Sequence, residues 1–446
     1  MLLLLLVSGF AGLTYELTWT KQLTLIFGVS YAAISTVLAA FMCGLALGSA
    51  LLGKRADRSS RPLVLYGSLE LGIGVSAFCL PYVFDALNGF YVALARAMPE
   101  RTLEFVVLRY LLCFAVLLVP TALMGGTLPA ISRAWVREPG RIGVGVGLLY
   151  GVNTLGAVLG TLATGFVLLR TLGVSDTIRT AVALNFLVGF ASLWLAKAGV
   201  GGASPTVRRS DREEVPDDRA LAAGLLLWAF AVAGATSLAY ETLWTRALIY
   251  FTGQTIYAFS AILACFLIGI ALGSLVVARR VDRMLDRVAA FGLLELGIGV
   301  SAAYLLLLIR WLYPLGSTVS RLMPEGVWQV WFAISCVLLL VPTVLMGAVM
   351  PVVTRAYARR VDQLGGKLGA LYAANTVGCV LGAAGAGFGL LTWLGAQRGV
   401  LAVAVVNVAL GVALICWSGW NRRAKGLASA AAVALLAYGI GLSWHP

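Results

Sequence analysis

Hydrophobic residues in this chain come in long, nearly unbroken runs, without the strict alternation of a half-buried strand or the narrow stripe of a surface helix. Thirteen segments with at most one or two ionisable groups follow one another from end to end, and ~20 apolar residues are enough to cross the hydrocarbon core of a bilayer. The pattern predicts an all-α polytopic membrane protein. The opening run MLLLLLVSGF has no basic flank and no small-residue cleavage site, so it reads as the first span and not as a removed signal peptide.

Composition agrees. Hydrophobic residues make up 61% of the 446 and charged residues 12%, with a mean hydropathy of +0.94, whereas a soluble domain carries roughly 25% charge. The net charge of +14 could point to nucleic acid, but the basic residues are spread over alternate loops. Residues 54–61 (KRADRSSR) form one group, Arg133, Arg137 and Arg141 the next, and Arg208, Arg209, Arg212 and Arg219 flank the middle of the chain. This is a topology signal, and the positive-inside rule puts the amino terminus on the cytoplasmic side. No nucleic-acid partner is expected.

The chain also repeats itself. At an offset of 225 residues Tyr15-Glu16 matches Tyr240-Glu241, Trp19 matches Trp244, and the nine residues LELGIGVSA from Leu69 recur from Leu294. Further along the offset becomes 222, pairing Pro120-Thr121 with Pro342-Thr343, Arg133 with Arg355, and Tyr150 and Asn153 with Tyr372 and Asn375. Six spans per copy is an even number, so both copies enter from the same side and the halves are parallel. The expected organisation is a six-helix bundle over 1–197, a polar cytoplasmic linker over 198–219, a second bundle over 220–418, and one additional transmembrane helix within 419–446.

Six plus six parallel spans around a basic linker resemble the major facilitator superfamily, and Gly53-x-x-x-Asp57-Arg58-x-x-Arg61 approximates that family's signature after the second helix. The second copy has Asp282-Arg283 without the glycine in register. More specifically, GLTYELTWTKQLTLIFG, FMCGLALGSALLGKRADR, PTALMGGTLP and YGVNTLGAVLG resemble the membrane portion of bacterial proteins that fuse a facilitator unit to a spermidine-synthase-like domain. The resemblance implies a bacterial inner-membrane location and a transporter or transporter-derived module. It also implies a soluble aminopropyltransferase-like partner domain, of which this sequence carries no part. No enzymatic activity is expected of the chain itself.

Four glutamates, Glu16, Glu70, Glu241 and Glu295, fall inside apolar spans as two repeat-related pairs. A carboxylate at membrane depth costs at least ~2.5 kcal/mol on insertion scales, so it is expected to face the interior with a partner or a function. With Tyr15, Trp19, Tyr240 and Trp244 beside them, Glu16 and Glu241 are candidates to hold an organic cation such as a polyamine by ion pairing and cation–π contact. The bland alternative pairs each glutamate with an intramembrane base, for which Lys21, Arg246, Arg109 and Arg310 are available. Asn153 and Asn375 are either interhelical glue or polar cavity wall. Pro120 and Pro342 predict kinks. Asp57, Arg58, Asp282 and Arg283 end the second spans, where aspartate could cap a helix and arginine could face lipid headgroups; the resemblance implies instead a latch of charge pairs across the interface between the halves, with Arg133 and Arg355 as partners.

The Gly-x-x-x-Gly pairs Gly44/Gly48, Gly156/Gly160, Gly269/Gly273 and Gly378/Gly382 are expected to let helices approach closely. The seven cysteines lie inside apolar spans in no metal-ligand spacing, and His445 is the one histidine. Packing thiols are therefore expected, with no metal or cofactor.

Overall fold

The computed structural model describes residues 1–27, 31–97, 103–201, 217–252, 256–322 and 327–444. Most of the 198–219 linker and His445 fall outside these residues, as do the side chains of Arg109, Arg310 and Cys113. Thirteen helices are long and apolar enough to cross a membrane. In the first half these are α1 (Leu2–Phe27), α2 (Tyr31–Arg58), α3 (Pro62–Ala97), α4 (Leu103–Trp135), α5 (Ile142–Ala163) and α6 (Gly173–Lys197). The second half holds α7 (Asp217–Thr252), α8 (Ile256–Val281), α9 (Arg287–Leu322), α10 (Val327–Tyr357), α11 (Leu364–Ala384) and α12 (Gly395–Trp417), followed by α13 (Arg422–Trp444). The chain is thus a multi-pass membrane protein whose outer faces meet lipid.

The two halves pack by one plan. In the first, α1 lies on α5, α2 on α4 and α3 on α6; in the second, α7 lies on α11, α8 on α10 and α9 on α12. Glycine makes the first two contacts of each set possible. Gly44 and Gly48 sit against Thr121 and Ala122, and Gly156 and Gly160 against the backbone of Leu6 and Phe10, so closely that a Cβ would collide. The mates repeat this, with Gly269 and Gly273 on Thr343 and Val344, and Gly378 and Gly382 on Ala231 and Ala235. In lipid, where burial of apolar surface gives little drive for helix association, such backbone approach recovers dispersion contacts.

Neither α4 nor α10 is broken at its prolines: the helices run through Pro120 and Pro129, and through Pro342 and Pro351. The kinks expected at Pro120 and Pro342 therefore do not interrupt either element. Behind each proline a threonine hydroxyl returns to its own helix, Thr121 Oγ1 donating to Leu117 O at 2.6 Å and Thr343 Oγ1 to Leu339 O at 2.6 Å. These are the hydroxyls that fill the space above Gly44 and Gly269.

Departures from regular helix also come in repeat-related pairs. α5 ends in a π turn at Thr164–Leu168 and α11 in one at Gly385–Leu390. Gly173 and Gly395 then take φ of 72° and 73°, a left-handed conformation open to glycine at no steric cost, and start α6 and α12.

The cysteine expectation needs correction. Cys265 of α8 and Cys336 of α10 form a disulfide with a Cα–Cα distance of 4.9 Å, while Cys43, Cys79, Cys379 and Cys416 are free. The pair is 71 residues apart in sequence, so no short spacing announces it; only the packing of α8 on α10 brings the two together. At the matching positions the first half has Ala40 and Phe114. The thirteenth helix has no mate and packs on α9 and α12, with Ala432 and Leu436 against Ala289, Ala303 and Val408.

Candidate functional site

The halves meet along α2 against α11 and α5 against α8. Here too backbones approach closely: Gly53 faces the Gly365 carbonyl, and Gly147 faces Ala278 and Pro351. Hydrogen bonds cross at equivalent places, Ser49 Oγ donating to Gly369 O at 3.2 Å and Ser274 Oγ to Gly147 O at 2.8 Å.

At the end of the bundle that carries the basic loops, two aspartates tie the halves together. Asp57, in the last turn of α2, accepts from the backbone amides of Gly365 and Gly366 at 2.7 and 2.6 Å. Asp282, just past α8, accepts from Gly143 and Val144 at 3.0 and 2.8 Å. Each carboxylate thereby caps the first turn of a helix in the opposite half, α11 or α5, where free N–H groups and the helix dipole favour negative charge. Arg133 Nε stands 3.4 Å from Asp57 and Arg355 Nε 2.8 Å from Asp282. Both ion pairs lie within one half. The expected pattern, with charge pairs bridging the halves, is thus corrected: arginine orients the aspartate, and main chain receives it. Arg58 and Arg283 are exposed and stand outside this arrangement.

Deeper in the bundle Glu16 of α1 and Glu241 of α7 face each other's half. Glu241 is near enough to feel the charge of Glu16, and both keep partial exposure. Around them lie Tyr150 and Asn153 of α5 and Tyr372, Asn375 and Cys379 of α11, all half-buried. Tyr150 stands near Tyr372 and Cys379, Tyr372 near Glu16, and Cys379 near Glu241. Asn375 Nδ2 donates to Cys379 Sγ at 3.7 Å. Asn153 and Asn375 also lie against Gly9 and Gly234, a helix contact repeated in both halves. Among the described residues neither glutamate makes an ion pair.

The aromatic residues expected at this pair lie elsewhere. Tyr15, Trp19 and Tyr240 are 0% exposed and Trp244 1%. They stack in the core of their own halves, Tyr15 on Trp19 at 4.8 Å and Tyr240 on Trp244 at 4.7 Å between ring centroids. Neighbours in sequence are about 100° apart around a helix, so Tyr15 and Glu16 address different surroundings.

Glu70 and Glu295 are fully buried within single halves. Glu70 accepts from Ser8 Oγ and from Asn185 Nδ2, each at 2.6 Å, and Asn185 Oδ1 accepts from the Tyr15 hydroxyl at 2.8 Å. Glu295 accepts from Asn407 Nδ2. Sequence reasoning missed Asn185 and Asn407. They are repeat mates at the offset of 222, and that was the available signal.

No family model matches the sequence. Over 224 residues it is 31% identical to polyamine aminopropyltransferase 2 of Streptomyces coelicolor, covering 48% of this chain and 38% of that protein. The chain thus spans well under half of that relative's length. Solved structures match much more of it. A crystal structure of the major facilitator superfamily transporter FucP in the outward conformation superposes with a TM-score of 0.58 at 14% identity, covering 93% of this chain and 97% of that one. A bacterial homologue of the iron transporter ferroportin, outward-facing, gives 0.60 at 14% identity with 93% and 98% covered. The human organic anion transporter MFSD10 gives 0.53 at 16% identity with 93% and 99% covered. Two parallel six-helix bundles joined at α2/α11 and α5/α8, with one helix added, are the major facilitator fold.

Proposed function

We propose that the chain is a transporter, or a module derived from one, that binds an organic cation between its halves and exposes it alternately to the two sides of a bacterial inner membrane. The observation that carries the reading is the Glu16–Glu241 pair: two repeat-related carboxylates, one in each half, partly exposed and near enough for the charge of Glu16 to reach Glu241. Two such groups at membrane depth are costly unless a positive charge joins them, and a diamine or polyamine supplies two. The partial likeness to a polyamine aminopropyltransferase favours the same substrate class. Tyr150, Tyr372 and Asn375 would hydrogen-bond the ammonium groups, in place of the cation–π contacts expected from Tyr15 and Trp19.

In this reading Asp57 and Asp282, oriented by Arg133 and Arg355, hold the basic, cytoplasmic end shut. Opening that end requires both carboxylates to leave the amides of α11 and α5. The amino terminus then lies in the cytoplasm, as the basic loops indicate.

Uptake of labelled putrescine and spermidine by proteoliposomes tests the proposal. Glu16→Gln and Glu241→Gln should each abolish flux while the melting profile is retained. A bound amine should also slow alkylation of Cys379, which stands beside Glu241. A second reading, in which the membrane unit binds an amine for an aminopropyltransferase domain without moving it across, rests on the same relative. It predicts protection of Cys379 but no flux. If neither protection nor flux is seen with any amine, both readings fail.

A further inference from the structure

The two buried carboxyls, Glu70 and Glu295, occupy equivalent positions, yet their surroundings differ at each hydroxyl. Glu70 receives Ser8 on one oxygen and Asn185 on the other. The Tyr66 hydroxyl also acts on it, just outside strict hydrogen-bond geometry. At the matching positions the second half has Ala233 for Ser8 and Phe291 for Tyr66. Only the amide, Asn407 for Asn185, remains. The lost serine leaves Glu295 Oε1 without a partner, and Asn407 Oδ1 and the Tyr240 hydroxyl, whose mates bond each other in the first half, are also unpartnered. All three residues are at most 1% exposed. Asn407 is bonded to Glu295 through its amide nitrogen, and Tyr240 stands near enough to Glu295 to be affected by its charge, so all three residues belong to the surroundings of one buried carboxyl.

An unpartnered buried oxygen on a neutral group costs about 1–3 kcal/mol, and more on a carboxylate. Three together, with two nearby hydroxyls absent, describe a place where something is bound. The donor set is carboxylate, amide and phenol oxygen with no nitrogen or sulfur ligand, which suits a hard cation. The charge to be balanced is one. We infer that Glu295, Asn407 and Tyr240 form a buried site for a single monovalent cation, a proton or a sodium ion, in the carboxy-terminal half alone.

Among the described residues, Asn407 and Tyr240 are the polar side chains recorded as acting with Glu295. From α7 the titratable side chain acting on Glu295 is Tyr240. α12 presents Asn407, α10 sets Leu345 against Gly297, and α13 sets Leu436 into the apolar cluster around Leu296. The site lies inside one half, apart from Glu16 and Glu241, and does not depend on the transport reading.

The test uses the full chain in nanodiscs and reads two quantities. One is the melting temperature in sodium chloride against N-methylglucamine chloride at constant ionic strength. The other is the infrared carbonyl band of a protonated carboxyl group. A sodium site raises the melting temperature in sodium, and Glu295→Gln loses that shift while Glu70→Gln keeps it. A proton site shows a carboxylic-acid band in the parent that Glu295→Gln removes. Should Glu295→Gln fail to fold, the double variant Ala233→Ser/Phe291→Tyr serves instead. It restores the two hydroxyls and should abolish whichever signature the parent shows. An ionised Glu295 with no sodium dependence, as a trapped water would leave it, overturns the inference.

Discussion

In the amino-terminal half the carboxyl of Glu70 is held by hydrogen bonds on both oxygens, and the amide that binds it is held in turn by Tyr15. In the carboxy-terminal half the same carboxyl position has one such bond, and a disulfide joins α8 to α10 where the first half has Ala40 and Phe114. The helix contacts of the two halves are otherwise superimposable in kind, down to the glycines, the Pro-Thr steps and the π turns. Packing and polar interior have thus diverged separately. A duplicated bundle can keep its shape through backbone approach, which depends on small residues, while single hydroxyl losses such as Ser8 to Ala233 change what its interior can bind.

The largest expected effect comes from removing the amide. Asn185→Ala leaves Glu70 short of a donor and Tyr15 without an acceptor, and should cost about 3 kcal/mol. Asn407→Ala, which breaks one bond beside oxygens already unpartnered, should cost less than half as much. Equilibrium unfolding in mixed micelles gives both numbers, and equal losses would show that the halves are energetically alike.

Next come the aspartates at the closed end. Asp57→Asn and Asp282→Asn each weaken charge-assisted bonds to two amides, worth about 2 kcal/mol in each case. Spin-label distances across that end should broaden to a similar degree in both variants. A response from one alone would mean that the closure is lopsided.

Adding a methyl group at the amide side should act more mildly. A Cβ on Gly365 or Gly143 would stand 2.9 Å from the carboxylate oxygen of Asp57 or Asp282, tight enough to displace it. Gly365→Ala and Gly143→Ala should lower stability by about 1–2 kcal/mol, with the same broadening of spin-label distances. The smallest effects belong to the hydroxyl swap. Ser8→Ala should destabilise by about 1 kcal/mol and Ala233→Ser should stabilise by a similar amount, and a matching sign for the two would sink the account of their difference.

Much of the architecture could be read from the sequence because it rests on features that a sequence displays directly. These are long apolar runs, a nine-residue exact repeat, and basic residues in alternate loops. The spaced glycines were legible for the same reason. The site was legible only in part. Repeat matching singled out Glu16 and Glu241, and the charge of Glu16 reaches Glu241. The same matching grouped them with Tyr15 and Trp19, since adjacency in sequence hides the turn of the helix between neighbours. Asp57 was visible as a charge at a helix end. Its partners were not, because they are amides at Gly365 and Gly366, 308 and 309 residues away, and main chain has no signature in composition. The Cys265–Cys336 bond was hidden for a related reason: nothing short of the helix packing brings its two ends together.

That main-chain receptor limits how the closure can be altered in evolution. Where two side chains meet, either can be lost, exchanged or reversed in charge, and the contact can be retuned from both ends. Here one end is common to every amino acid except proline. Substitutions on α5 and α11 away from their glycine contacts leave that receptor intact, provided that the first turn stays slim. Nearly all genetic control over the strength of the closure therefore rests with Asp57, Asp282 and the two arginines that aim them.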